Sequence, residues 1–201
     1  NGKRLVTCLE HGDFPIQIWD VATGELLHHV SRNNEGVYSR GTLIFSPDGK
    51  NLLVPGWRSD RSQSVGIQLF DPATGEYQGE MSVPAGGLLA ISRDGQLLAS
   101  TSDAGVRVWK WPRREEVMPN TNTHTGAVSF IETPSRQTID TASDDGTIRV
   151  WDAATHRQLR LLQHDNWIRD IAVSPDGSQL ASTALDDTVR LWNLDDGREI
   201  Y

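Results

Sequence analysis

Three adjacent carboxylate pairs, Asp144–Asp145, Asp186–Asp187 and Asp195–Asp196, are the residues best suited by type and spacing to acid–base chemistry. Paired carboxylates can act as proton donor and nucleophile when their surroundings push their pKa values apart. All three pairs fall in stretches that read as turns, where Asp ordinarily accepts backbone hydrogen bonds. Turn formation is therefore their expected role. The neighbouring His28 and His29 could ligate a metal, but alternation along a strand sends their rings to opposite faces. Arg107, Arg149 and Arg190 each stand two residues before an aromatic, a spacing that could line up an anion site. The simpler expectation is that each stem packs across its strand while the guanidinium reaches water or an acid. The chain has no Gly-x-Ser-x-Gly elbow, no phosphate-cradling glycine loop before a helix, and no cysteine pair for zinc. No catalytic residue, metal site or cofactor is expected.

What positions these residues is a repeat. "IQIWD" (Ile16–Asp20), "IQLFD" (Ile67–Asp71), "VRVWK" (Val106–Lys110), "IRVWD" (Ile148–Asp152) and "VRLWN" (Val189–Asn193) are near-copies. Their aromatics, Trp19, Phe70, Trp109, Trp151 and Trp192, are 51, 39, 42 and 41 residues apart. Two further signals keep the same register. "FSPDG" (Phe45–Gly49), "ISRDG" (Ile91–Gly95) and "VSPDG" (Val173–Gly177) precede an aromatic, and "ATGEL" (Ala22–Leu26), "ATGEY" (Ala73–Tyr77) and "ATHRQ" (Ala154–Gln158) follow one. Each pentapeptide alternates with period two, as a strand does, and Pro-Asp-Gly combines a fixed φ, an acceptor and a residue tolerant of positive φ. No window carries a helical apolar stripe over several turns. One repeat thus reads as four short antiparallel strands joined by hairpins.

These motifs resemble the WD-repeat β-propeller family, most closely over "HDNWIRDIAVSPDGSQLASTALDDTVRLWN" (His164–Asn193), and the resemblance runs along essentially the whole chain. It implies an all-β fold of four-stranded antiparallel blades. The chain is expected to form one propeller region with repeats over about 1–30, 31–82, 83–118, 119–163 and 164–201. The first repeat lacks its innermost strand and the last has barely begun its outer one. The expected state is therefore a partial or open ring of about five blades. The remaining blades of a longer chain are then expected partners, since terminal blades would otherwise bare an apolar face.

The resemblance also assigns a hydrogen-bonded set to each complete repeat: His164, Ser182, Asp186 and Trp192, and His124, Thr141, Asp145 and Trp151. A buried indole N–H needs an acceptor and a buried imidazole needs both nitrogens satisfied, so the set has its own physical reason. His–Ser–Asp could instead be a hydrolytic triad. Recurrence in successive repeats, and a serine tied to an indole, argue for structure. Phe70 replaces the Trp in the second repeat, and "PAGG" (Pro84–Gly87) stands where the third would carry His.

Partner contact is expected in the loops that the family gathers on one rim. Trp57, Arg58 and Arg61 lie in the swollen turn of the second repeat, and Trp167 and Arg169 flank an inner strand of the last. With a net charge of -8 the chain lacks the basic footprint of a duplex binder, so no nucleic-acid partner is expected. Its apolar runs are too short to insert in a membrane, and no signal peptide is evident. Cys8, the one cysteine, is expected as a buried reduced thiol, which fits a cytoplasmic location. The expected function is a non-catalytic protein–protein interaction scaffold. Its alternatives are a sensor propeller attached to an enzyme such as a bacterial kinase, or a propeller like those of quinone-cofactor dehydrogenases.

Overall fold

The computed structural model describes residues 2–8, 16–30, 42–57, 64–83, 88–92, 94–102, 105–113, 115–118, 128–133 and 136–201. Among these residues every regular element is a strand, and the strands form five antiparallel sheets in which sequence neighbours are spatial neighbours. The first sheet comprises β1 (Arg4–Cys8), β2 (Ile16–Asp20) and β3 (Leu26–Val30); the second β4 (Ile44–Phe45), β5 (Leu52–Trp57), β6 (Ser64–Phe70) and β7 (Tyr77–Met81). The third holds β8 (Leu89–Ile91), β9 (Leu97–Ser102), β10 (Gly105–Lys110) and β11 (Glu115–Met118). The fourth holds β12 (Val128–Thr133), β13 (Arg136–Ala142), β14 (Thr147–Asp152) and β15 (Gln158–Gln163). The last holds β16 (Ile168–Val173), β17 (Gln179–Ala184) and β18 (Val189–Asn193), and a bridge from Trp192 to Glu199 begins a further pairing. No described helix is long and apolar enough to cross a membrane.

Turn chemistry sets these hairpins. In the Ser-x-Asp-Gly turns the serine hydroxyl donates to the aspartate, at 2.6 Å for Ser46–Asp48 and for Ser92–Asp94. The same oxygen accepts the backbone N–H five residues on, from Asn51 and Leu97. The Asp or Asn ending four of the five pentapeptides closes the next turn: Asp20, Asp71, Asp152 and Asn193 each accept the N–H two residues on. Gly24, Gly75 and Gly197 then take a positive φ, and His156 takes the same conformation (φ 59°) with a side chain.

The chain divides into two compact units, Asn1–Leu89 and Ala90–Tyr201. In the first, Ile16, Ile18 and Val30 pack on Leu52, Val54 and Phe70. In the second, the fourth sheet is covered on both faces. Ile139 and Trp151 meet Ala99, Val106 and Val108, while Ala142, Ile148 and Val150 meet Ile171, Leu180 and Trp192. That division follows from strand alternation, and each fully buried aliphatic contributes roughly 1.5–3 kcal/mol.

Three features depart from the sequence reading. A register shift accompanies the aromatic of four pentapeptides, at Ile18/Trp19, Leu69/Phe70, Val108/Trp109 and Val150/Trp151, where the outer strand carries an extra residue. Cys8 is exposed rather than buried: it ends β1, the edge strand of its sheet, where few neighbours can cover it. Trp111 is buried, although the mixed charge of "KWPRREE" reads as a solvated hairpin. Its charged neighbours stay outside, with Lys110 paired to Glu115 at 3.5 Å.

Candidate interaction surface

The last sheet contains a hydrogen-bonded chain through its interior. The Trp192 indole N–H donates to Ser182 Oγ at 2.8 Å, and that oxygen lies 2.6 Å from His164 Nε2. His164 Nδ1 faces Asp186 Oδ2 at 3.4 Å. One tautomer satisfies every partner: Ser182 accepts from the indole and donates to Nε2, leaving the Nδ1 proton to Asp186. Asp186 also accepts from the Thr188 hydroxyl at 2.6 Å and from its backbone N–H at 3.0 Å. The Thr188 hydroxyl, more than any other group, lowers the Asp186 pKa to about 2, and His164 adds to the shift. His164 and Ser182 are each 1% exposed, so no substrate can reach this serine. The arrangement is a clamp, not a hydrolytic triad.

Among the described residues, three other sheets repeat the bond from indole to strand hydroxyl. Trp151 donates to Thr141 at 3.1 Å, Trp109 to Ser100 at 3.2 Å and Trp19 to Thr7 at 2.9 Å. Asp145 holds the Thr147 N–H and hydroxyl at 2.9 and 2.7 Å. Phe70, with no N–H to place, meets Tyr77 edge to face at 5.6 Å. The recurring arginines reach acids: Arg107 to Glu116, Arg149 to Asp145, and Arg190 to Asp165, Asp186 and Glu199.

On the outside of the clamp, three segments converge. The Ile168 N–H donates to the Ser143 carbonyl at 3.2 Å, the His164 N–H to that of Gly146 at 2.8 Å, and the Leu185 N–H to that of Trp167 at 2.8 Å. The turn after β13, the segment before β16 and the turn after β17 are thereby fixed as one corner. Gly146 is needed for this approach: at φ 79° a Cβ would meet the His164 carbonyl oxygen at 2.9 Å. Trp167 stands on this corner 56% exposed, beside Leu185 at 38%. Its indole has no hydrogen-bond partner among the described residues, the reverse of Trp192.

The family model for the WD domain, G-beta repeat, matches residues 85–110, 118–152 and 156–193. This chain belongs to the WD-repeat family. Its WD repeats are similar to the nuclear distribution protein nudF of Aspergillus niger, at 33% identity over 96% of the chain and 47% of that relative. The nuclear distribution protein PAC1 of Coccidioides posadasii is 31% identical over 90% of the chain and 33% of the relative. PAC1 of Arthroderma benhamiae is 40% identical over 51% of the chain and 24% of the relative. The chain thus spans from about a quarter to about half the length of these curated relatives.

Within this WD-repeat chain the proposed contact residues divide. Trp167 and Arg169 are both exposed at the start of β16. Trp57 ends β5 opposite Ser64 rather than lying inside the turn, and it belongs to the other compact unit. Arg58, Arg61 and the fourth repeat's His124 lie outside the described residues. The sequence reading missed Leu185 and Gly146. Leu185 occupies the slot that Asp144 fills one repeat earlier, and an apolar residue in a turn otherwise made of Asp and Thr was the available signal.

Proposed function

We propose that this chain is a non-catalytic scaffold that binds other proteins, with Trp167 as the anchor of one contact surface. The observation that carries the reading is the exposed Trp167 indole on a corner tied down by three backbone hydrogen bonds. Trp is among the residues most enriched where binding energy concentrates, and a segment whose backbone is already fixed loses little conformational freedom on contact. Enclosure of His164 and Ser182 speaks against catalysis there. The similarity to nuclear distribution proteins agrees with a role in assembly rather than in chemistry. Arg169 belongs to this surface, and Trp57, Arg58 and Arg61 form a second candidate in the first compact unit. The single cysteine suits a reducing, cytoplasmic setting.

The test is affinity capture from the source organism's extract, comparing the parent with Trp167→Ala and Trp57→Ala at matched folding. Loss of specific partners from the Trp167→Ala sample is the expected result. An unchanged partner set in both variants would remove this reading.

A further inference from the structure

The charge around Trp167 indicates the chemistry of what it binds, a step that rests on the interaction reading above. Residues 143–149, 164–170 and 185–190 carry six aspartates against three arginines. Two of the arginines are engaged within the corner, Arg149 with Asp145 and Arg190 with Asp165 and Asp186. The third, Arg169, is exposed and is followed directly by the exposed carboxylate of Asp170. The two aspartate pairs divide their work. Asp145 and Asp186 are occupied by the turns themselves, holding Thr147 and Thr188. Asp144 and Asp187 are exposed, and neither makes a hydrogen bond or ion pair among the described residues.

Both free carboxylates stand on segments that backbone hydrogen bonds tie to the segment of Trp167. Asp144 follows Ser143, whose carbonyl accepts the N–H of the residue after Trp167. Asp187 stands two residues beyond Leu185, whose N–H donates to the Trp167 carbonyl. We propose that this corner receives a lysine- or arginine-bearing segment of a partner protein. The cation lies over the Trp167 ring, Asp144 and Asp187 flank it, and Leu185 packs against its aliphatic stem. Trp is the strongest aromatic partner for a cation, and nearby carboxylates add to the field that the ring supplies. An acidic segment would meet Asp144 and Asp187 with like charge, and an uncharged one would desolvate them without return. The chain's net charge of -8 steers cationic segments toward it.

Three pools of short peptides test the assignment: lysine- and arginine-rich, uncharged, and glutamate-rich. The readout is the Trp167 indole N–H resonance, assigned by its loss in Trp167→Phe, with affinities from the same titrations. The protein is the full chain, compared with Asp144→Asn/Asp187→Asn. Asn tolerates the left-handed φ of 61° at position 187, so this variant keeps the turn, and a matching thermal melt checks it. The cationic pool is expected to shift the Trp167 signal, to weaken about tenfold in the double variant, and to weaken with added salt. Equal or tighter binding of the uncharged or glutamate-rich pool overturns the proposal, as does cationic binding that ignores both variants. If no pool binds while Trp167→Ala still loses captured partners, the interaction surface stands and its cationic specificity falls. If Trp167→Ala changes nothing either, both fall.

Discussion

His164 and Ser182 share a hydrogen bond of 2.6 Å that ties the segment before β16 to the strand beside it. The serine oxygen also takes the Trp192 indole N–H, so one hydroxyl holds two rings in a site closed to water. The same segment presents the exposed Trp167 three residues after His164, with Asp165 and Asn166 between. Rigidity and recognition are thus built from adjacent residues.

Removing that hydroxyl should be expensive. Ser182→Ala leaves the Trp192 N–H and His164 Nε2 without partners, and each unsatisfied buried group costs about 1–3 kcal/mol. The expected loss is about 2–4 kcal/mol, read as a lower denaturant midpoint at unchanged slope. Among the described residues, Thr141→Ala strands the part-buried Trp151 N–H and loses a long 3.4 Å bond to the Arg149 carbonyl, and it should cost about 1 kcal/mol. A reversed order would contradict the account of the clamp.

Truncating the rings should follow burial. Trp192 is 4% exposed, and Trp192→Ala should cost about 3–5 kcal/mol. Trp151 is only part-buried, so its replacement by Ala should cost less in the same melts. Trp167→Ala should stay within about 0.5 kcal/mol of the parent.

Acid should loosen the last sheet. Asp186 is held at a pKa of about 2 by its Thr188 hydrogen bonds and His164, below the unfolded value near about 3.9. A lowered folded pKa means that the carboxylate's contribution is complete above the unfolded value and is lost as pH falls toward the folded one. Stability of the parent should therefore drop between about pH 4 and pH 2, and Asp186→Asn should flatten that part of the curve. Urea midpoints across the range check this.

One repeat carries a correctable turn. His156 adopts φ 59° where Gly24 and Gly75 stand in the matching turns. A side chain in the left-handed region costs about 1–2 kcal/mol, partly offset by the greater freedom that Gly loses on folding. His156→Gly should raise stability by about 0.5–1 kcal/mol, measured by thermal or chemical melting. A lower midpoint would show that the imidazole makes a compensating contact.

Strand number, hairpin order and the indole acceptors could be read from the chain because each rests on local signals. Alternation fixed the faces of "IRVWD", Pro-Asp-Gly fixed the turns, and an indole between polar strands implied an acceptor such as Thr141 or Ser182. Exposure was less legible. Trp111 and Trp167 both flank strands amid charged residues, yet one is buried and the other is 56% exposed. Local sequence does not carry that difference, because it depends on which segment from another part of the chain lies over the ring. Leu185 was hidden for a related reason: its proximity to Trp167 is made by a backbone bond between two loops, which no periodicity reports. The outer-strand bulges escaped because the extra residue lies on the outer strand, outside the alternating pentapeptide that carries the repeat signal.

The most direct measurement is hydrogen exchange of the indole N–H groups, followed by NMR in the full chain. The Trp192 N–H, bonded to Ser182, should exchange only through unfolding, whereas the Trp167 N–H should exchange at nearly the rate of a free indole. Comparable protection at the two positions would contradict the division between a pinned ring and a presented one.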